Sequence, residues 1–170
     1  EQSNNNSLKN LSIKNISIDT KTLKKNDVFF AIKGKKLNGN NFVSEAFKKG
    51  ASLAVVNKFS VKNSYSKQIK VKNTLNFLSK CSKIYRKNLF TKIIAITGSC
   101  GKTTLKEMLG SSLNKISKTT YSPKSFNNKY GVPLSILNIK QSDKFGVLEV
   151  GMDKKGEIDY LTKIIKPDLG

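Results

Sequence analysis

The run Ile93-Ile94-Ala95-Ile96-Thr97-Gly98-Ser99-Cys100-Gly101-Lys102-Thr103-Thr104 constrains this chain more than any other stretch, because an apolar, strand-like segment breaks at Gly98 and then, from Gly101, reads Gly-Lys-Thr-Thr. A buried strand that delivers the chain to a glycine turn, with a helix directly after it, is the local architecture of a phosphate-binding loop. The glycines permit a tight turn with backbone N–H groups pointing inward, and the helix aims its positive end at the same cavity. Gly98, Ser99, Cys100, Gly101, Lys102, Thr103 and Thr104 are therefore expected to cradle a polyphosphate. Lys102 would set a compact charge on the outer phosphates, and the Thr103 hydroxyl would coordinate the accompanying Mg²⁺. The common form of the loop separates its first glycine from Gly-Lys by about four residues. Here only Ser99 and Cys100 intervene, and Ile96 stands where that first glycine would be. The competing reading is a strand-to-helix turn that contains Gly and Lys and binds nothing.

At 170 residues the chain can form one ordinary domain or two small ones whose cores are only marginally sufficient. The opening Glu1-Gln2-Ser3-Asn4-Asn5-Asn6-Ser7 is polar and does not begin with Met. Residues 1–10 are expected to be disordered, with the native start missing. The formal net charge of +21 raises nucleic acid or an anionic membrane as partners. The lysines are scattered, however, and Arg86 is the only arginine, which argues against a surface that grips phosphates or reads bases with bidentate forks. No nucleic-acid function is expected. Cys81 and Cys100 are too few and too far apart for a disulfide framework or a zinc site, and the chain contains no histidine. A reducing compartment fits. No apolar run approaches the roughly 20 residues needed to span a bilayer.

Leu11 to Ile18 alternates as a half-buried strand does, and Val28 to Ile32 reads as a more deeply buried strand. Residues 41–50 carry a helical pattern that ends in Lys48-Lys49-Gly50, and Leu53 to Val56 forms the next strand. A brief strand follows at Ile69 to Val71. Asn73 then caps a helix that places Leu75, Leu78, Cys81 or Ser82, Tyr85 and Leu89 on one face. The domain boundary is expected after this helix, giving domains 1–88 and 89–170. In the second, the loop helix carries Leu105, Met108, Leu109 and Leu113 at core spacing, and strands follow at Thr119 to Tyr121 and Phe145 to Val150. Strands alternating with helices predict an α/β fold: a small N-terminal α/β domain, then a loop-bearing domain with a mainly parallel sheet and ligands at the carboxyl ends of its strands.

Glu149 closes an apolar strand, where a carboxylate is costly to bury unless it meets a cation or a water-filled site. It is therefore expected to face the Mg²⁺ begun by Thr103, against the alternative of a strand-end Glu that simply reaches solvent. Asp153-Lys154-Lys155-Gly156 offers a competing nucleotide-switch reading, but the guanine-reading Asn-Lys-x-Asp is absent. Asn127 and Asn128, ahead of Gly131 and Pro133, read on their own as an ordinary turn. Cys100, at a helix N-terminus, is either a reactive thiol or a filler position.

Taken together, Gly98-x-x-Gly101-Lys102-Thr103-Thr104, Phe126-Asn127-Asn128-x-x-Gly131-Val132-Pro133 and Glu149-Val150-Gly151 followed by Gly156-Glu157-Ile158 resemble the Mur ligases of peptidoglycan synthesis in order and spacing. The first half is similar to the same family through Asp19-Thr20-Lys21, Asp27 to Gly34 and Asn38-Gly39-Asn40-Asn41-Phe42. Family members commonly show Asp-Ser-Arg at the first of these and Asp-Gly-His or Asp-Gly-Asn at the last. The resemblance spans about Ile16 to Gly170. It implies that Asp19, Thr20, Lys21, Gly34, Asn38, Gly39, Asn40 and Phe42 hold a UDP-sugar substrate. It also implies that the loop, Asn127 and Asn128 hold ATP, and that Thr103 and Glu149 hold Mg²⁺. The implied reaction is ATP-dependent amide formation in the cytoplasm, serving cell-wall construction, cell shape and division, with Lys102 and Glu149 as catalytic groups. The carboxylate of UDP-N-acetylmuramoyl-tripeptide attacks the γ-phosphate, and the amine of D-alanyl-D-alanine displaces phosphate from the acyl phosphate. The resemblance further implies a monomer without membrane insertion. It implies as well that the remaining Mg²⁺ ligands and a third domain come later than Gly170, so that this chain alone lacks ligase activity. The alternatives are another Mur-type ligase with a different amine substrate, a generic phosphate-loop ATPase or kinase module, and a lysine-rich nucleic-acid binder.

Overall fold

The computed structural model describes residues 12–34, 36–63 and 65–170. The disorder expected for residues 1–10 lies outside the described residues, as does Leu11 of the first expected strand. The chain divides into two compact units, residues 1–78 and 79–170.

The first unit holds a four-stranded sheet in the order β1-β2-β3-β4, formed by β1 (Ile16–Ser17), β2 (Val28–Phe30), β3 (Leu53–Val56) and β4 (Gln68–Lys70). Every adjacent pair is parallel. The two central strands are buried at every position, which is why Val-Phe-Phe and Leu-Ala-Val-Val read as continuous apolar runs rather than alternating ones. Of the alternation expected over Leu11 to Ile18, the described residues form a strand at Ile16–Ser17, which is β1, an end strand of this sheet. A 3₁₀ turn (Gly39–Phe42) leads into α1 (Val43–Lys48), whose Val43 and Ala46 pack with Leu23, Phe29, Ala31, Ala54 and Val56 in the core. Gly50, at φ 90°, follows the helix.

Helix α2 (Thr74–Lys87) is capped by Asn73, whose Oδ1 accepts from the Asn76 N–H at 2.9 Å. Leu78 and Ser82 are buried, while Cys81 is half-buried. The two units divide within this helix, between Leu78 and Ser79, whereas the sequence reading set the boundary at 88/89. Its last turns serve the second unit: the Tyr85 hydroxyl donates to the Ile139 carbonyl at 2.7 Å, and Arg86 reaches the carbonyls of Ile165 and Lys166.

The second unit holds β5 (Lys92–Ile96), β6 (Thr119–Tyr121) and β7 (Phe145–Glu149) in the order β5-β7-β6, again all parallel. Three helices accompany them: α3 (Lys102–Ile116), α4 (Gly131–Asn138) and α5 (Glu157–Ile165). The core gathers Leu89, Ile93, Val132, Ile136, Ile139, Leu148, Val150, Leu161, Ile164 and Ile165. The expectation that Leu105, Met108, Leu109 and Leu113 form the buried face of α3 is corrected here. Leu105 and Met108 are 53% and 63% exposed, and the buried residues of this helix are Lys106 and Gly110. The physical reason is a close approach: a Cβ on Gly110 would stand 2.6 Å from the Tyr121 ring, so α3 meets β6 through its glycine rather than its leucines.

Arg86 makes the fork-shaped contacts that a lysine cannot. Its Nε donates to the Ile165 carbonyl at 2.7 Å, and its Nη2 donates to the Lys166 carbonyl at 2.8 Å and to Asp168 Oδ2 at 2.9 Å. It thereby caps the C-terminal end of α5, where a cation meets the negative end of the helix dipole. The Ile93 N–H donates to the same Asp168 carboxylate, and this bond, helped by Lys92 and Arg86, holds its carboxyl below the ordinary range. Arg86→Lys should lower the stability of the second unit by about 1–3 kcal/mol in denaturant titration. Because the folded-state value of Asp168 is depressed, its stabilisation is complete above the unfolded value of about 4 and disappears as pH falls through the folded one. Asp168→Asn should therefore be less stable than the parent at pH 6, with the gap closing in thermal melts below about pH 4.

Candidate functional site

Ile96 pairs with Glu149 in the parallel register of β5 and β7, and the Val150 N–H donates to the Ile96 carbonyl at 2.8 Å. The glycine loop therefore leaves the sheet beside the Glu149 carboxylate. Gly98 at φ 143° and Gly101 at φ 75° carry the turn, and Gly101 occupies the cap position of α3 in the left-handed region that a side chain strains. Gly98, Ser99, Cys100 and Gly101 are exposed, so the loop and the N-terminal N–H groups of a 15-residue helix open to solvent. The Lys102 ammonium folds over this loop, donating to the Gly98 carbonyl at 2.6 Å and to the Ser99 carbonyl at 3.3 Å.

Glu149 is 1% exposed, and its carboxylate is held on both sides. Thr103 Oγ1 donates to Oε2 at 2.8 Å, and Asn127 Nδ2 donates to Oε1 at 2.8 Å. The Glu149 N–H donates to the buried Ser122 hydroxyl at 3.2 Å, which ties strand β7 to the segment after β6. Thr103, Asn127 and Glu149 thus meet at one point, which brings the two expected cation residues, Thr103 and Glu149, together with one expected nucleotide residue, Asn127, and Lys102 lies one residue away. Asn128 has a different place: its Oδ1 accepts from the N–H groups of Tyr130 and Gly131 and so begins α4. Thr104 is exposed on the first turn of α3.

The donor set fits a hard cation. Thr103 offers a hydroxyl and Glu149 a carboxylate, both oxygen ligands of the kind Mg²⁺ prefers. Adjacent corners of an octahedron with bonds of about 2.1 Å lie about 3 Å apart, close to the separation of these two oxygens. Among the described residues, no group of three or more His, Cys, Asp or Glu that could hold a metal ion occurs, at this site or elsewhere.

Sequence reasoning missed Lys106. This side chain is fully buried, with Nζ 3.0 Å from Glu107 Oε1, 3.9 Å from Glu149 Oε2 and hydrogen-bonded to the Lys124 carbonyl. A lysine in a helix ordinarily reads as a solvated position. The available signal was helical spacing, since Thr103, Lys106 and Gly110 lie at i, i+3 and i+7 on one face of α3.

A separate cavity in the first unit brings together part of the expected substrate set. Ile18, Asp19, Thr20, Lys21, Phe29, Ile32, Leu37, Gly39 and Phe42 line a cavity of about 320 Å³. Of the expected substrate residues, Asp19, Thr20, Lys21, Gly39 and Phe42 share this wall. Gly34, Asn38 and Asn40 are not among its lining residues. The Gly34 N–H closes a turn onto the Leu37 carbonyl, the Asn38 side chain caps the 3₁₀ turn, and Asn40 bonds to Asn57. Asp19 Oδ1 accepts from the Lys21 N–H at 2.9 Å, which shapes the turn at the rim. Hydrogen bonds from Lys49 and Thr20 hold the Glu45 carboxyl below its ordinary range and anchor Thr20. Gly39 is required by close approach, because a Cβ there would sit 2.5 Å from the backbone of Ala31 and Ile32.

Two parallel-sheet units, one with a cavity and one with a glycine loop facing a buried carboxylate, place the chain in the α/β class. Along the same chain, the profile of the Mur ligase family catalytic domain matches residues 12–86, and that of the Mur ligase middle domain matches residues 96–170. The chain belongs to the Mur ligase family. It is 38% identical over 167 residues to UDP-N-acetylmuramoyl-tripeptide--D-alanyl-D-alanine ligase of Buchnera aphidicola subsp. Baizongia pistaciae, covering 98% of this chain and 36% of that protein. The Bacillus subtilis ligase of the same name is 37% identical over 158 residues, with 92% and 34% covered. Among solved structures, a MurF ligase from Thermotoga maritima in complex with ADP aligns with TM-score 0.75 at 33% identity, covering 94% of this chain and 37% of that one. The UDP-N-acetylmuramoylalanyl-D-glutamyl-2,6-diaminopimelate--D-alanyl-D-alanyl ligase of Acinetobacter baumannii aligns with TM-score 0.78 at 36% identity, covering 91% and 34%. The chain therefore spans about a third of the length of the relatives it matches. Among the described residues, no helix is long and apolar enough to cross a membrane.

Gly39→Ala should force the 3₁₀ turn off the Ala31–Ile32 backbone, destabilising the first unit by about 1–3 kcal/mol in denaturant titration. The second unit, followed by amide exchange of β5 and β7, should keep its protection.

Proposed function

We propose that this chain supplies the UDP-sugar-binding and nucleotide-binding parts of an ATP-dependent ligase that joins D-alanyl-D-alanine to UDP-N-acetylmuramoyl-tripeptide. The observation that carries this reading is the meeting of Thr103 and Glu149 at 2.8 Å beside an exposed glycine loop at a helix N-terminus. A triphosphate seated there meets backbone N–H donors from Gly98 to Thr104 and the Lys102 ammonium. Mg²⁺, held by Thr103 and Glu149, would neutralise charge on the transferring phosphoryl group. Asn127 keeps the carboxylate turned toward Thr103 and has no need to touch the nucleotide to do so. The first unit would hold the UDP-sugar end of the second substrate in the cavity walled by Asp19, Thr20, Lys21, Gly39 and Phe42.

The reaction then proceeds in two substitutions. A peptide carboxylate oxygen forms a bond to the γ-phosphorus as the bond to ADP breaks. The dipeptide amine next forms the amide bond while inorganic phosphate departs with the electron pair of the C–O bond. Such chemistry depends on positioning and on charge stabilisation more than on covalent participation by the protein. Lys102 serves in this way by meeting charge that develops on the bridging and terminal phosphate oxygens. The names of the relatives, the ADP complex of the Thermotoga ligase and the cavity of the first unit support the reading. In the complete ligase, Lys102→Ala should reduce the rate of amide formation by about 10²-fold or more while leaving the fold intact by circular dichroism. Ligation at the parent rate would refute the role. Calorimetric titration should show UDP-N-acetylmuramoyl-tripeptide bound in preference to UDP-glucose, and equal affinity for the two would refute the substrate assignment.

A further inference from the structure

Lys106 is the one fully buried charged side chain of α3, and neither the phosphate loop nor the sheet requires a cation at its position. Burying an ammonium costs several kcal/mol unless partners compensate, and an apolar residue of similar volume would fill the space without that cost. A lysine there must be explained by what its charge does. Its Nζ is bonded to the Lys124 carbonyl, lies 3.0 Å from Glu107 Oε1 and stands 3.9 Å from Glu149 Oε2. The last distance is too long for a hydrogen bond and short enough for a strong charge–charge attraction in a dry setting.

These contacts close a ring. Lys124 belongs to the segment between β6 and α4 that also carries Asn127, and Asn127 Nδ2 holds Glu149 Oε1 at 2.8 Å. Thr103, on the same helix as Lys106, holds Oε2 at 2.8 Å. One ammonium thus joins the helix, the carboxylate and the loop that aims the carboxylate.

We propose that Lys106 is the positioning residue of this site, a built-in counter-charge that holds the Glu149 carboxylate aimed at Thr103 before a divalent cation arrives. This rests on the reading of Thr103 and Glu149 as cation ligands. When a cation takes up Glu149, Glu107 and the Lys124 carbonyl remain as partners for the lysine, so the ammonium stays compensated. Lys106 also moderates cation affinity, since its positive charge lies on the side of the carboxylate the ion must share.

The test is thermal denaturation of the purified protein with Mg²⁺ as the sole added ligand, for the parent, Lys106→Met, Glu149→Gln and the double variant. Lys106→Met leaves Glu149 buried without its counter-charge, so its midpoint should fall in chelator and rise with saturating Mg²⁺ by at least about twice the parent's shift. In the double variant the uncompensated charge is gone, and most of the stability lost in Lys106→Met should return. A Lys106→Met protein that folds only with Mg²⁺ or only alongside Glu149→Gln is the extreme form of the same result. Equal Mg²⁺ shifts in the parent and Lys106→Met, additive losses in the double variant, or failure of both lysine variants to fold would overturn the proposal by making Lys106 a packing residue. ADP binding by the parent, measured separately, distinguishes these outcomes from failure of the ligase reading. Loss of ADP binding with the coupling intact counts against the nucleotide and not against the Lys106–Glu149 pair.

Discussion

The structure of the second unit turns on one costly group, the carboxylate of Glu149 at the end of a buried parallel strand. A carboxylate removed from water must be hydrogen-bonded and charge-compensated, or its strand end would not stay buried. Thr103, Asn127 and Lys106 answer that requirement from helix α3 and the segment after β6. The glycine loop, the helix N-terminus and the Asn127 segment are therefore held together by one oxygen pair.

The parallel topology explains how such remote residues meet. Parallel strands carry their carboxyl ends to one edge, where loops and helix N-termini collect. Ile96 lies opposite Glu149, so the loop that begins at Thr97 starts beside the carboxylate. Tyr121 lies opposite Val147, so the segment after β6 leaves the sheet at the same edge and brings Ser122 and Asn127 within reach. In the first unit the cavity likewise includes Ile18, Asp19, Thr20 and Lys21, just beyond β1, and Ile32, just beyond β2.

Elements whose information is local were legible in the sequence. The strand Leu53–Val56, the Asn73 cap, the strand-loop-helix at Ile93 to Thr104 and the parallel α/β class all follow from short-range pattern, and the structure contains them. Helix α4 was hidden because Asn128, Gly131 and Pro133 are turn formers. Pro133 is harmless there because it falls in the first turn, where no intrahelical N–H bond is lost. The buried face of α3 was misjudged for a related reason. Leucine spacing marks an apolar stripe but cannot tell which face a neighbouring strand approaches, and the contact of Gly110 with Tyr121 decides that. Lys106 escaped notice because its partners, Glu149 and the Lys124 carbonyl, are close only after three elements have assembled.

The central claim is that Thr103 and Glu149 jointly hold the cation of a nucleotide seated on the glycine loop. A crystal structure of the protein with ADP and Mn²⁺, the metal located by its anomalous signal, tests this most directly. The account predicts a single strong peak within about 2.3 Å of Thr103 Oγ1, in contact with Glu149 directly or through one water, and the β-phosphate against the N–H groups of Gly101 and Lys102. A peak remote from both side chains, or ADP bound away from the loop, would contradict it.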